Sequence, residues 1–274
     1  MKIAALSVLA LFLSLVAYAQ TAPAIPPDAK NDIQINTQSP FSPQNPVSIP
    51  DEPHYAHLLQ NDFVQVFDLA LPPLDSTLLH RHDHPSLTLT LGASAFVDEV
   101  EGQPPANVAL LDGETRYTAG GFADILRTGA GASLRNIVII LNHPQDSPQN
   151  LGPDAAARPL GSCPQTSPPP VQNNQIPFEQ VVPCFETSAL RMELIRVEGG
   201  KDFAQTAPES AALLVAMTNS NLDVSLAGEH SSFLHAGDVF WFPAGVPRRV
   251  SDFLGAGSKF LFLSFKNSAV KSSN

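Results

Sequence analysis

The feature that most constrains this chain is the period of its apolar residues, which is close to two in run after run. Phe63-Val64-Gln65-Val66-Phe67-Asp68-Leu69-Ala70-Leu71 largely alternates, whereas Asn136-Ile137-Val138-Ile139-Ile140-Leu141 and Phe260-Leu261-Phe262-Leu263-Ser264-Phe265 are apolar at nearly every position. Alternation marks strands with one buried face, and short unbroken apolar runs mark strands buried on both faces. Long helical periodicity is absent after the first twenty residues, so an all-β sandwich or barrel is predicted.

The pattern occurs twice. Met192 to Gly200 follows Val66 to Leu74 at an offset of 126 residues, and Gly237 follows Gly113 at 124. A nearly constant offset indicates a duplicated unit. Two stretches without this periodicity separate the pieces: residues 20–53, with Ser39-Pro40-Phe41-Ser42-Pro43, and residues 144–177, with Ser167-Pro168-Pro169-Pro170. The first reads as a disordered Pro/Gln-rich tether and the second as a Pro-rich connector between lobes at 54–143 and 178–267.

Residues 1–19 have the order of a secretory signal: Lys2, an apolar core from Ile3 to Val16, then Ala17-Tyr18-Ala19. That core is shorter than the roughly 18 residues of a spanning helix, and no later segment is long and apolar enough to span. The expectation is a soluble periplasmic or secreted protein with no membrane span after signal cleavage. Removing Lys2 with the leader takes the formal net charge from −11 to −12, without any basic run. A nucleic-acid partner is therefore not expected, because such proteins need a positive stripe to displace counterions. Cys163 and Cys184 are the only cysteines. In an oxidising compartment they are expected to pair, since no nearby Cys or His completes a zinc set.

The motifs resemble those of the cupin superfamily. Its first motif places a Gly before His-x-His, then a Glu and a later Gly; here Leu74 stands at the first Gly, His80-Arg81-His82 supplies the pair, Ser86 or Leu87 stands at the Glu, and Gly92 is near the last Gly. Its second motif reads Gly113, Ala119-Gly120-Gly121, Asp124 and Thr128 in the first lobe, with aspartate at the ligand histidine. In the second lobe it reads Gly237, Pro243-Ala244-Gly245, Arg248 and Asp252, and Thr206-Ala207-Pro208 falls where His-x-His belongs. The resemblance implies two double-stranded β-helix (jelly-roll) barrels, a bicupin, with a metal site in the first barrel and none in the second.

Histidines two apart on a strand share a face, so His80 and His82 project side by side. Continued alternation puts His84, Ser86, Thr88 and Thr90 on that face and Leu87, Leu89 and Leu91 on the other. Two imidazoles with Asp124 suit Fe, Mn or Zn as a divalent cofactor, with His84 competing as third ligand. Without an ion, the same residues would form a hydrogen-bonded polar pocket. Ser86 and Thr88 are candidate ligand contacts. Arg248 is another, as a cation that could take an anion; the reading set against it, and favoured by the sequence, is that Arg248 and Arg249 pair with acids such as Asp238 or Asp252 or point to solvent. Three functions are compatible with these residues. One is an exported, monomeric bicupin, its barrels packed within one chain, that binds a small polar molecule through the metal. The second is a metal-dependent dioxygenase, isomerase or lyase. The third is a non-catalytic interaction protein. No nucleophile, phosphate-loop or dinucleotide signature points elsewhere.

Overall fold

Every apolar position of Leu134–Leu141 is buried, and its two faces enter different cores: Ile137, Ile139 and Leu141 on one side, Leu134, Val138 and Ile140 on the other. That division organises the molecule. The computed structural model describes residues 45–164, 179–198, 200–206, 208–217, 220–255 and 257–266. The expected leader, residues 20–44 of the expected tether and residues 165–177 of the expected connector lie outside the described residues.

The first barrel contains β1 (Val47–Ser48), β2 (Tyr55–Gln60), β3 (Val64–Leu71), β4 (His80–His82) and β5 (Ser86–Thr90). It continues through β6 (Ser94–Val100), β7 (Ala106–Leu110), β8 (Thr115–Thr118), β9 (Phe122–Thr128) and β10 (Leu134–Leu141). These form two sheets, ordered β1-β4-β9-β6-β7 and β2-β3-β10-β5-β8. The second barrel contains β11 (Gln149–Asn150), β12 (Glu179–Glu186), β13 (Leu190–Val197), β14 (Asp202–Gln205) and β15 (Ala211–Ala216). Its remaining strands are β16 (Asn221–Leu226), β17 (Glu229–His235), β18 (Val239–Phe242), β19 (Arg248–Asp252) and β20 (Ser258–Phe265), and its sheets run β11-β12-β13-β20-β15-β18 and β14-β19-β16-β17.

The sheet of the first barrel that contains β10 and the six-stranded sheet of the second share one core. Leu87, Leu89, Ile137 and Ile139 from the first pack in the same cluster as Leu194, Leu213, Leu261 and Leu263 from the second. Strands covered on both faces need apolar residues at successive positions, which is why β10 and β20 lack polar alternation. Full burial of such side chains is worth roughly 1.5–3 kcal/mol each, so this shared layer is a principal source of stability. The inner faces then diverge. The second barrel is filled by Phe203, Phe242, Phe260 and Phe262, whereas the first retains a cavity.

Three sequence expectations need correction. Residues 47–53 are folded and not tether: β1 pairs with β4 in parallel, and Glu52 is buried at 2% exposure. The Glu52 carboxylate accepts hydrogen bonds from the backbone N–H of His54 (2.7 Å) and of Leu78 (3.1 Å), which explains why a charged residue is tolerated there. Likewise, part of the expected connector is built into the barrels. β11 pairs with β12, and the Thr115 hydroxyl donates to the Gly161 carbonyl at 2.7 Å while the Tyr117 N–H donates to the Leu160 carbonyl at 2.8 Å. Gly161 has φ of 80° and lies so close to Tyr117 that a Cβ would stand 2.4 Å from its backbone nitrogen, so the approach requires glycine. The Cys163–Cys184 disulfide then ties this strap to β12; closing a loop of that size contributes about 3 kcal/mol.

Thirdly, the polar alternation from His80 to Thr90 is not one strand. β4 ends at His82, the chain crosses at Asp83–Pro85, and β5 belongs to the facing sheet. Proline at 85 supplies the interruption, because it cannot donate to a ladder.

Two consequences are measurable. Leu74, where the resemblance expects glycine, is 77% exposed and keeps a left-handed backbone with φ of 63°. That conformation costs an L-residue roughly 1–2 kcal/mol, so Leu74→Gly should raise stability by about 1 kcal/mol in denaturant unfolding, once the greater unfolded-state freedom of glycine is deducted. His54 lies against Glu52 (2.9 Å) and Asp75 (3.2 Å). Burial works against its charged form, but the hydrogen bonds and charges of Glu52 and then Asp75 outweigh it and raise its pKa above 6.5. The pair should therefore contribute stability fully below pH 6.5 and lose it as pH rises through the raised value. A melting-temperature profile against pH for His54→Gln should converge with the parent on the alkaline side.

Candidate metal centre

The register of one strand pair assembles the site. β4 pairs with β9 so that His80 faces Asp124, Arg81 faces Ala123 and His82 faces Phe122. Residues directly opposite in an antiparallel pair project to the same side, as do residues two apart on one strand. His80, Asp124 and His82 therefore converge, with one ligand atom from each inside a 4.8 Å span. The His80 Nε2 and His82 Nε2 atoms each lie 3.2 Å from Asp124 Oδ1.

Neighbouring groups fix the rings. His80 Nδ1–H donates to the Leu78 carbonyl at 3.0 Å, and Leu78 is itself held through its N–H by Glu52. With that proton on Nδ1, the His80 Nε2 carries a lone pair toward the cluster. Burial lowers the His80 pKa in spite of the nearby Asp124 charge, so the neutral ring is favoured. A lone pair and a carboxylate oxygen then face each other, an arrangement that suits a cation between them. The Tyr55 hydroxyl, 2.9 Å from the same Nε2, is the donor already at hand. Burial, followed by the charges of Asp124 and Glu52, pushes its pKa well above the ordinary tyrosine value, which keeps it a phenol. His82 stacks on Phe122, with ring centroids 4.5 Å apart and planes 13° from parallel. Gly120 makes room for this turn: its φ is 78° and a Cβ would stand 2.6 Å from the His84 carbonyl oxygen.

Two imidazoles and a carboxylate are a donor set for Fe, Mn or Zn, and three protein ligands leave positions open for a ligand or solvent. The space for one adjoins them. A cavity of about 200 Å³ is bordered by His82 and Asp124, with Leu69, Phe96 and Val138 among its apolar walls. Ser86 and Thr88 are in its wall, because the sheet carrying β5 faces the sheet carrying β4. His84 does not join the cluster: it is exposed beyond the end of β4, beside Asp83 and Gln65 in a surface depression that His82 also borders. Arg248 lies in the other barrel.

Sequence reasoning overlooked three residues of this site. Tyr55 sits at the first position of β2, close to the segment read as tether. Asn136 opens an apolar run that drew attention to its core residues instead. Asp98 shares an inward alternation with Phe96 on β6, a signal present in the sequence. Burial, then the charge of Asp124, push its pKa up to about 6.

The sequence matches no protein-family model, and no curated protein resembles it in sequence. Solved structures do resemble it in shape. Salicylate 1,2-dioxygenase from Pseudoaminobacter salicylatoxidans, crystallised with gentisate, superposes with a TM-score of 0.53 at 14% identity over 74% of this chain and 68% of that one. A cupin 2 conserved barrel domain protein from Leptotrichia buccalis gives 0.50 at 12% identity over 77% and 88% of the two chains. AerE from Microcystis aeruginosa gives 0.50 at 10% identity over 78% and 98%. At such identities the likeness is one of fold, and the fold is the all-β cupin jelly roll, present here in two copies.

Proposed function

We propose that this protein is an exported, monomeric bicupin that holds a divalent metal ion on His80, His82 and Asp124 and binds a small polar ligand in the adjoining cavity, with no metal in the second barrel. One observation carries the ligand reading. His82 Nδ1, Ser86 Oγ, Asp98 Oδ1 and Asn136 Oδ1 are buried atoms without a hydrogen-bond partner among the described residues, and all four residues border the same cavity. An unsatisfied buried polar atom costs on the order of 1–3 kcal/mol, so four around one space favour a polar occupant. Export draws support from the disulfide, which belongs to oxidising compartments.

A second reading, a metal-dependent dioxygenase or a related isomerase or lyase, draws on the fold shared with salicylate 1,2-dioxygenase and on the open positions of a three-ligand site. A bound ion would supply Lewis acidity or oxygen activation. The chain itself would contribute a Tyr55 hydroxyl as donor, Asp98 as a carboxyl able to hold a proton near neutrality, and apolar walls that exclude water.

Elemental analysis of the purified mature protein should find stoichiometric Fe, Mn or Zn that is lost in His80→Ala/His82→Ala. A parent as metal-free as the variant would reject both metal readings and leave a non-catalytic interaction barrel. Oxygen uptake with gentisate as probe then separates dioxygenase from binding protein. Glu52→Gln, which loosens the support of Leu78 and through it His80, should weaken metal affinity in chelator competition, by less than the roughly 10–100-fold that losing a direct outer partner of a ligating histidine costs.

A further inference from the structure

The second barrel repeats the register of the metal centre with different chemistry. β14 pairs with β19 so that Gln205 faces Arg248, as His80 faces Asp124 in β4 and β9. The offsets are 125 and 124 residues, which makes Gln205 the structural counterpart of His80, one residue earlier than Thr206, the position the sequence motif suggested. Where the first barrel gathers donors for a cation, the second places a cation of its own. Arg248 is 4% exposed.

Its hydrogen-bond partners among the described residues are neutral. Gln205 Oε1 accepts from Nε at 2.7 Å and from Nη2 at 2.5 Å, and the Ser210 carbonyl accepts from Nη1 at 3.4 Å. The guanidinium lies 5.4 Å from the Phe242 ring centroid and 5.0 Å from that of Phe262. No carboxylate pairs with it among the described residues: Arg249 takes Asp202, and Asp252 is engaged by the Gly257 N–H and the Ser258 hydroxyl. Burial alone lowers its pKa, to about 10, so it stays charged at neutral pH. A guanidinium has five N–H donors, and one on each terminal nitrogen has no partner among the described residues. Arg248 also borders an open cleft of about 390 Å³, together with Thr206, Glu209, Ser210 and Ser264.

We propose that Arg248 anchors a second, metal-independent ligand site for a small monocarboxylate, held by the two remaining guanidinium N–H groups with hydroxyls of the cleft around it. A planar carboxylate can accept from both guanidinium terminal nitrogens at once and brings a directly paired negative charge that neither Gln205 nor Ser210 supplies. Glu209 adds negative charge to the wall, which disfavours phosphate or sulfate relative to a singly charged acid. This site does not depend on the ion proposed for the first barrel.

The experiment is a thermal-shift and calorimetric titration of the full mature protein with lactate and acetate, against sulfate and inorganic phosphate at constant ionic strength. Lactate or acetate should raise the melting temperature of the parent and of His80→Ala/His82→Ala alike, and affinity should fall at least tenfold in Arg248→Met. Because that variant could also disturb folding, Gln205→Glu serves as the second test: it supplies an internal carboxylate to Arg248 and should abolish binding in a protein that melts no lower than the parent. The proposal is overturned by no carboxylate binding to the parent, by binding that survives Gln205→Glu, by loss in the histidine double variant, or by sulfate or phosphate binding as well as lactate.

Discussion

The rest of the structure depends on the apolar layer shared by the β10 sheet of the first barrel and the β20 sheet of the second. Neither β10 nor β20 is viable on an isolated barrel with one face in water, because Ile137, Ile139, Leu261 and Leu263 would then be exposed. Joining the barrels through these faces converts two lobes into one packed body. It also frees the other face of each sheet to serve a different purpose: a phenylalanine-filled interior in the second barrel and a partly open one in the first. The strap from Gln149 to Cys163 reinforces the arrangement, since it adds a strand to one barrel, bonds to Thr115 and Tyr117 of the other, and is closed by the disulfide.

Within that frame, a repeated strand register produces opposite chemistries. The ladder fixes where a side chain on β4 or β14 meets one on β9 or β19, and the residue types then decide the charge of the meeting point. His80 and Asp124 present a lone pair to a carboxylate and suit a cation; Gln205 and Arg248 present a neutral oxygen to a guanidinium and suit an anion. A duplicated fold can therefore diverge in what it binds without moving its backbone, because the cost of an uncompensated buried group is local.

Much of this was legible in one sequence. The period-two runs identify strands, and the unbroken runs identify strands with two buried faces. His80 and His82 could be paired by alternation, a short-range regularity of the backbone, whereas Asp124 was joined to them only by the resemblance to the second cupin motif. The exclusion of His84 was not legible: alternation carries from His82 to His84 on paper, whereas β4 ends at His82 and the chain crosses to the other sheet over residues 83–85. Tyr55, Asp98 and Asn136 reach the site from strands distant in sequence, so no local pattern joins them to the histidines. Glu52 was hidden by composition, since a Pro-rich neighbourhood resembles a tether until long-range hydrogen bonds fold it.

What the sequence by itself determined is therefore what depends on neighbours along the chain: strand type, the duplication, the histidine pair and a cysteine pair with no other partner. Tertiary structure alone decided which polar atoms share a cavity, that the apolar faces of the two lobes meet, and that Arg248 has an amide and not a carboxylate opposite it. The physical reason is that burial and countercharge are properties of a residue's surroundings in space, and in a β-barrel most of those surroundings come from strands far away in sequence.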